Sequence, residues 1–470
     1  MTGAELTWLP VPTLADRIER REVSPVEVID AFLDRIAAVD DRIHGFITVN
    51  AEGARAAARR AESEIAAGRY RGPLHGIPYA LKDIYLTKGI RTTAGSKILT
   101  DYVPDHDCTV VERFDAAGAI LLGKAHTYEF AYGPAGGHPC HPQAVNPWDA
   151  GRIPGGSSSG SGAMTAAGLC PIAMGSCTGG SIRIPASFCG IAGLKPTYGR
   201  ISRFGILALS WSLDHAGPLG RTVADCAAAL GPISGADPRD PTASSAPVDD
   251  YLAALSRDPK GLRVGVVKEL WTDPLAPEVR RLCEEARDVL PRLGLEVEEV
   301  SVPLAADASP AVGAILSAEG VQYHATWLRE RTEEYGPGLA ARLLVGAGLT
   351  APDVVMAHRV RRLAIEQFRE VFRRVDVLVT PTTPFTAPRF GEDIVDVGDQ
   401  RIPFRQIMSR FTRPFNLTGL PALSVSCGLT PAGLPAGIQF AGRPFDEATV
   451  LQVGHAYERA AGWTERRPPE

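Results

Sequence analysis

Two serines in one glycine-rich stretch are the residues of this chain most suited to nucleophilic chemistry. The stretch runs from Gly155 to Gly199, and it places Ser157 and Ser181 beside glycines. Glycine lets the backbone approach a reacting group closely, and backbone N–H groups beside a nucleophile stabilise an oxyanion. The pattern therefore predicts a hydrolytic site at which a serine attacks a carbonyl carbon.

A third serine, Ser158, fits the G-x-S-x-G pattern of a nucleophile elbow between Gly156 and Gly160. An elbow requires an apolar strand directly before the serine, together with a histidine partner. Residues 149–154 are instead a loop with Pro and Gly, and none of the ten histidines stands in a context that identifies it as the partner. A Ser-His-Asp site at Ser158 is therefore disfavoured.

Ser181 follows Thr178, Gly179 and Gly180 and precedes a predicted helix over residues 182–188. The first backbone N–H groups of a helix have no intrahelical acceptor, and the helix dipole favours negative charge there. For an isolated Gly-Gly-Ser, a simple glycine turn is the commoner interpretation. On these residues alone both interpretations stay open.

Lysine is rare in this chain, which has seven lysines and 42 arginines. Lys82 ends an apolar run that begins at Gly76 and is typical of a buried strand. A lysine in such a place either extends its ammonium to water, which is the commoner case, or is buried with its charged form disfavoured. The second case would make Lys82 a candidate base.

Strands and helices alternate around these residues, which predicts an α/β fold. Helices are predicted over residues 13–66, 159–167, 276–291 and 446–461, and residues 305–375 are predicted to be mainly helical. Buried strands are predicted over residues 169–174, 262–267, 375–379 and 421–426. Pro and Ser predict a surface excursion over residues 222–260.

The composition, with 45% hydrophobic and 22% charged residues, is that of a globular protein, and we expect one domain over residues 1–470. A net charge of −5 gives no reason to expect nucleic acid or an anionic membrane as a partner. Without a signal-peptide pattern or an apolar run of about 18 residues, a cytoplasmic location is expected. The eight cysteines form no C-x-x-C pair, so neither a disulfide framework nor a zinc site is indicated.

The ordered motifs of the chain closely resemble the amidase signature family of serine hydrolases, almost from end to end. The matching blocks include Gly76-x-Pro78-x-x-x-Lys82-Asp83, Gly155-Gly-Ser-Ser158, Thr178-Gly-Gly-Ser181-Ile-Arg-x-Pro185, Gly193-Leu-Lys-Pro-Thr-x-Gly199, Ser212-Leu-Asp-His-x-Gly-Pro218 and Gly442-Arg-Pro-Phe445. The resemblance implies a central mixed β-sheet flanked by helices on both faces. It also implies an N-terminal helical segment over residues 1–66, a catalytic core over 76–220 and a variable substrate-pocket region over 305–420.

The same resemblance implies a Ser-cisSer-Lys triad, with Ser181 as nucleophile, Ser157 as bridging serine and Lys82 as base. The Gly156–Ser157 peptide bond is then expected to be cis. Backbone N–H groups from Thr178 through Gly179 and Gly180 to Ser181 are expected to form the oxyanion hole. No metal and no organic cofactor is implied. Three residues are further expected to bind the substrate: Tyr132, Gly133 and Ser158.

Two positions depart from the family pattern. Ser159 replaces a glycine beyond the bridging serine, where we expect an effect on local packing alone. Cys177 stands where an aspartate is common before Thr-Gly-Gly-Ser, which puts any polar network supported by that carboxylate in doubt. Cys177 is also an alternative thiol nucleophile, but buried cysteines are usually inert and no histidine partner is evident.

Two functional classes follow from the resemblance. The first is a stand-alone hydrolase that cleaves the C–N bond of a small or aryl amide, with esters and carbamates as further substrates. The alternative is a glutaminase that serves as the A subunit of a tRNA-dependent amidotransferase. His215 favours the first class modestly, because the tRNA-linked members usually carry Gln there, although it equally suits a packed structural histidine. The apolar face of the helix after Ser24 fits core packing or a homodimer surface.

Overall fold

One mixed sheet of eleven strands holds the catalytic segments together. The computed structural model describes residues 2–133, 140–336 and 338–469. The strands in chain order are β1 Phe46–Val49, β2 Pro78–Lys82, β3 Ile120–Ala125, β4 Ile172–Cys177, β5 Ala192–Lys195, β6 His215–Gly220, β7 Arg263–Val267, β8 Glu296–Val300, β9 Val377–Pro381, β10 Ile394–Val397, β11 Gln400–Pro403, β12 Ala422–Leu429 and β13 Pro435–Gly442. The order in the large sheet is β1-β3-β2-β4-β6-β5-β12-β13-β9-β7-β8, and β10 pairs with β11 in a separate hairpin.

Helices flank this sheet, as expected for an α/β/α arrangement. They are α1 Gly3–Leu6, α2 Val11–Glu19, α3 Pro25–Ile43, α4 Ala51–Ala66, α5 Thr109–Ala116, α6 Ser159–Ala166, α7 Arg183–Cys189, α8 Val223–Ile233, α9 Tyr251–Ala254, α10 Lys268–Thr272, α11 Pro277–Arg287, α12 Ala308–Tyr323, α13 Ala325–Glu330, α14 Leu339–Val345, α15 Ala351–Val371, α16 Phe404–Ile407, α17 Arg413–Leu417 and α18 Glu447–Ala461. Leu423 of β12 meets Gly454 of α18, whereas Ser424 and Ser187 of α7 both face Gly437. Because successive strand residues point to opposite faces, α18 and α7 cover opposite faces of the sheet.

Three neighbouring parallel strands bring the catalytic segments to one edge of the sheet. Strand β2 pairs in parallel with both β3 and β4, and Leu81 lies opposite Met174. Lys82 is therefore beside the end of β4, from which the chain turns into the segment that carries Ser181. The predicted burial of Lys82 within a strand is confirmed.

Strand β4 begins three residues later than the sequence analysis predicts. The expected strand started at Leu169, but the ladder with β2 and β6 begins at Ile172. Pro171 directly precedes it, and proline has no N–H to donate to a ladder. The preceding helix α6 and its terminating Gly168, with φ of +70°, lie where they were predicted.

The prediction of a wholly helical N-terminal segment is wrong for residues 46–49. These residues form β1, a short edge strand antiparallel to β3. The flanking helices are as predicted, and α3 begins with a capping box between Ser24 and Glu27 and with Pro25 at its first position. β1 has only four residues, too few for a periodic pattern to show.

The prediction of a surface excursion over residues 222–260 is wrong for its first part. Residues 223–233 form the largely buried helix α8, which packs on the sheet and begins with a capping box between Thr222 and Asp225. This capping box was the overlooked sequence signal. Within the described residues no single helix is long and apolar enough to cross a membrane, although residues 339–348 and 351–371, bent by 94°, together meet that length and composition.

We predict opposite effects for two Gly→Ala substitutions in helices. A methyl group at Gly160 of α6 would overlap the backbone of Gly45 and His126, whereas nothing lies near a methyl group at Gly313 of α12. Gly160→Ala should therefore lower the free energy of unfolding by about 1–3 kcal/mol. Gly313→Ala should raise it by up to about 1 kcal/mol. Urea unfolding measures both, and equal stability of the two variants would contradict the packing described for α6.

Candidate active site

The amine of Lys82 lies inside the protein at the end of β2, with no exposed surface. Its Nζ atom is 2.7 Å from Ser157 Oγ and 2.8 Å from Ser176 Oγ. The structure thus brings together Lys82 and Ser157, which the resemblance paired. It also adds Ser176, which the sequence analysis missed because nothing in the pattern of a buried strand distinguishes a serine that faces a lysine.

Burial lowers the pKa of Lys82 from its ordinary value of 10.5 to about 7, because the ammonium loses its hydration. The neighbouring buried lysine, Lys124, has a carboxylate beside its amine, which Lys82 lacks among the described residues. Lys124 Nζ lies 3.5 Å from Asp83 Oδ1, whereas within the described ranges no carboxylate comes within 4 Å of Lys82 Nζ. Lys82 therefore reaches its neutral, proton-accepting form close to neutral pH.

The bridging position of Ser157 is fixed by its backbone. The Gly156–Ser157 peptide bond is cis, as the resemblance implies. The Ser157 carbonyl accepts hydrogen bonds from Tyr128 N at 3.1 Å and from Thr127 Oγ1 at 3.2 Å. A side chain at Gly156 would overlap the ring of Tyr128. These contacts hold the fully buried Ser157 against Lys82.

Ser181 lies in a tight turn between β4 and α7 and is partly exposed. Its carbonyl accepts a hydrogen bond from Ser158 N at 3.4 Å, which ties it to the segment of Ser157. Gly180 has a φ of +156°, and a Cβ there would overlap the side chains of Ile184 and Thr412. The turn therefore requires glycine at this position.

The turn also provides the hydrogen-bond donors expected of an oxyanion hole. In the described part of the chain, no acceptor is bonded to the backbone N–H groups of residues 178–181. These residues line the same cavity as the Ser181 side chain. Unpaired donors beside a nucleophile are suited to binding the negative oxygen of a tetrahedral intermediate.

The cavity has a volume of about 240 Å³. Its lining consists of Ala131, Tyr132, Gly133, Gly156, Thr178, Gly179, Gly180, Ser181, Ile184, Leu209, Leu316, Arg342, Arg405, Met408, Ser409 and Arg413. Tyr132 and Gly133 lie where substrate contact was expected. Leu316 and the arginines come from the 305–420 region, in which the pocket was expected.

The structure does not support Ser158 as a substrate-binding residue. Ser158 is fully buried and is absent from the described lining of the cavity. Its hydroxyl lies 3.3 Å from both the carbonyl oxygen and the amide nitrogen of Ser176, donating to the first and accepting from the second. The hydroxyl therefore joins α6 to β4 instead of meeting a ligand.

Cys177 is fully buried beside a guanidinium, not in the cavity. Arg183 Nη2 donates to Cys177 Sγ at 3.5 Å, and the other described acceptors of Arg183 are the Thr412 carbonyl, Asn416 Oδ1 and Gln439 Oε1. Burial raises the pKa of the Cys177 thiol, but the positive charges of Arg183 and Lys195 outweigh burial and bring it below its ordinary value. Cys177 thus packs against Arg183 and Asn416, outside the cavity that Ser181 lines.

His215 begins β6 and lies opposite Cys177 in the antiparallel ladder. Its Nδ1 is 2.7 Å from the Leu213 carbonyl, and burial lowers its pKa, so the ring is neutral. His215 borders a separate cavity of about 190 Å³, together with Ser176 and Asp214. This placement favours the interpretation of His215 as a packed histidine.

A sequence model of the family described as Amidase matches residues 27–451. The chain belongs to the amidase signature family. It is therefore an enzyme that hydrolyses carbon–nitrogen bonds other than peptide bonds. This amidase is 44% identical over 490 aligned positions to the A subunit of glutamyl-tRNA(Gln) amidotransferase from Roseiflexus sp. (strain RS-1), an alignment that covers 98% of this chain and 99% of that protein.

Solved structures of other amidases share the fold over nearly the whole chain. A chain from the vestigial protein complex linked to the evolutionary origins of an s-triazine catabolic enzyme has a TM-score of 0.92 and 35% identity, covering 96% of this amidase and 98% of that chain. A bacterial aryl acylamidase of the amidase signature family has a TM-score of 0.88 and 25% identity, covering 98% and 99%. The match to amidotransferase subunits supports the glutaminase alternative better than the stand-alone hypothesis.

We predict that kcat/KM of this amidase rises with pH through about 7. Below that pH Lys82 is an ammonium and cannot accept a proton, and above it the amine is neutral. The measurement is a pH–rate profile with a neutral amide, whose charge does not change over the range. An acidic limb near 10 would show that Lys82 keeps its ordinary pKa and would contradict the assignment of this amine as the base.

Proposed function

We propose that Ser181 attacks the carbonyl carbon of an amide while its proton passes through Ser157 to Lys82. The observation that carries this proposal is the 2.7 Å contact between Ser157 Oγ and the buried Lys82 amine, which has no ion pair with a described carboxylate. A neutral amine accepts the Ser157 proton as Ser157 accepts the Ser181 proton, which activates Ser181 without histidine. The free N–H groups of residues 178–181 hold the oxyanion.

The same relay serves the second half of the reaction. Protonated Lys82 returns its proton through Ser157 to the leaving nitrogen, because an amide anion is a poor leaving group. The C–N bond breaks, the amine or ammonia departs, and the acyl group stays on Ser181. Water then adds to the ester carbonyl and gives its proton to the relay, and Ser181 is released with the carboxylic acid as product.

The first candidate role is that of the ammonia-releasing glutaminase of a tRNA-dependent amidotransferase. The support is 44% identity to such a protein, with 98% of this chain and 99% of the relative covered. In this role the substrate is glutamine and the chain works with partner subunits. This candidate role differs from the expectation that the partners are small molecules alone, because the relative is a subunit of a glutamyl-tRNA(Gln) amidotransferase.

The second candidate is a stand-alone hydrolase of a small or aryl amide, ester or carbamate, and one observation in the cavity favours it. Glutamine carries an α-ammonium group, which needs a carboxylate or several good acceptors when it is buried. The described lining of the cavity contains three arginines and no Asp or Glu.

The cytoplasmic location, the homodimer and the single-domain organisation stay predictions from the sequence.

We predict that Ser181→Ala abolishes amide hydrolysis and labelling by a serine-directed fluorophosphonate. Cys177→Ala should keep labelling and most of the activity, because Cys177 lies outside the cavity. Lys82→Ala should lower kcat/KM by about 10²–10⁴-fold, whereas Lys88→Ala, at an exposed lysine, is the matched control. If Cys177→Ala is as damaging as Ser181→Ala, the nucleophile is wrongly assigned.

One assay separates the two roles. The purified chain alone is given glutamine and a p-nitroanilide, and the release of ammonia and of nitroaniline is followed. Turnover of the anilide by the chain alone supports the stand-alone role. Turnover of glutamine that depends on added amidotransferase partner subunits supports the glutaminase role.

A further inference from the structure

Three guanidinium groups face the cavity onto which Ser181 opens. Arg342 belongs to α14, Arg405 to α16 and Arg413 to α17, and all three are among the lining residues. None of these positions belongs to the sequence motifs of the catalytic core. The residues are brought together by the region 305–420, which packs over the nucleophile.

None of the three arginines forms an ion pair with a described carboxylate. Arg410, which lies in the chain between two of them, shows the usual alternative, because its Nη2 donates to Asp273 Oδ1 at 2.8 Å. By contrast, the guanidinium groups of Arg342 and Arg405 have no hydrogen bond to any described residue, and each lies over an aromatic ring. Their charges are therefore left for something that enters the cavity.

Arg413 is held in place and keeps one donor free. Its Nη1 donates to the Ser309 carbonyl at 2.9 Å. Its Nε is buried and has no partner in the described part of the chain. The Nε atom lies 3.6 Å from the position that a Cβ of Gly179 would occupy, which places it beside the oxyanion-hole turn. A buried N–H without an acceptor is costly, and a ligand oxygen in the cavity would satisfy it.

Arg342 and Arg405, together with Arg413, form a positively charged wall of the cavity. The guanidinium of Arg342 lies 5.3 Å from the centre of the Tyr132 ring, and a side chain at Gly133 would overlap it. Burial, and next the charge of Arg405, lower the pKa of Arg342, whereas Tyr132 and Glu129 act in the opposite direction. Glu129 itself accepts hydrogen bonds from Ser96 Oγ and Gly336 N and forms no ion pair with Arg342. The six residues after Gly133, which lie outside the described ranges, contain no Asp or Glu in the sequence. They therefore supply no negative charge to offset this wall.

We propose that Arg342, Arg405 and Arg413 form a subsite for a carboxylate, so that the substrate is an anionic amide without an ammonium group beside its carboxylate. The inference rests on the proposed hydrolysis at Ser181 and names the substrate class of that same site. A guanidinium binds a carboxylate through two parallel N–H···O hydrogen bonds, which fixes orientation as well as charge. An amino acid amide such as glutamine would bring its ammonium to the same cations and be repelled.

Binding is tested without turnover in the Ser181→Ala protein by isothermal titration calorimetry. The probes are glutaramate, its α-amino derivative glutamine, and the neutral butyramide. Glutaramate should bind at least about tenfold more tightly than either, the difference that one charged hydrogen bond makes. Arg413→Gln and Arg342→Gln should each weaken glutaramate about ten- to hundredfold. Arg401→Gln, at an exposed arginine of β11 outside the cavity, makes the same charge change and is the control.

Equal binding of glutaramate and butyramide, or tighter binding of glutamine, would overturn the subsite. So would an equal effect of Arg401→Gln and Arg413→Gln. The comparison of the three probes in the Ser181→Ala protein with all its arginines intact stays decisive even if an arginine variant fails to fold. Failure of the proposed function is recognised separately: the probes then bind as predicted, while the wild-type protein hydrolyses none of the amides and Ser181 is not labelled by a fluorophosphonate.

Discussion

The proposed chemistry of this protein depends on a lysine amine that is buried without an ion pair among the described residues. Lys82 Nζ touches two serine hydroxyls and, among the described residues, no carboxylate, although Asp83 is its neighbour in the chain. Asp83 lies instead 3.5 Å from Lys124 Nζ, across the ladder from β2 to β3. Because β2 pairs in parallel with both β3 and β4, this sheet holds one lysine–aspartate pair and one lysine without an ion pair side by side. The isolated amine is the one that can act as a base.

Motif residues and local signals predicted much of the fold and the close approach of Lys82 and Ser157 in the candidate site. The capping box at Ser24, the small residues of α6 and the apolar run ending at Lys82 each specify their element locally, and the structure agrees with them. The sequence analysis was wrong for elements whose structure depends on packing against residues distant in the chain. β1 is a strand because β3 offers it an edge, and α8 is buried because the sheet and neighbouring helices cover it. Ser158 was expected to bind the substrate, yet its hydroxyl bonds to the backbone of Ser176.

Catalysis and substrate selection come from different parts of the chain. The turn of residues 178–181, the cis peptide bond and Lys82 lie in the signature core, and we propose that they carry out the cleavage of the C–N bond. The three arginines come from helices of the 305–420 region and could not be assigned from the sequence, because a chain with 42 arginines gives no local sign of which ones stay unpaired. We therefore propose that the signature core performs the hydrolysis, while the arginines of the cavity select which amide reaches Ser181.

The most direct test of this account is the titration of the Lys82 amine itself. With only seven lysines in the chain, ¹³Cε-labelled lysine gives few NMR signals, and Lys82→Ala identifies the one that matters. The account predicts a midpoint near 7 for that signal. A midpoint near the ordinary 10.5 would mean that the amine stays charged at neutral pH, and a Ser181–Ser157–Lys82 relay would then have no base.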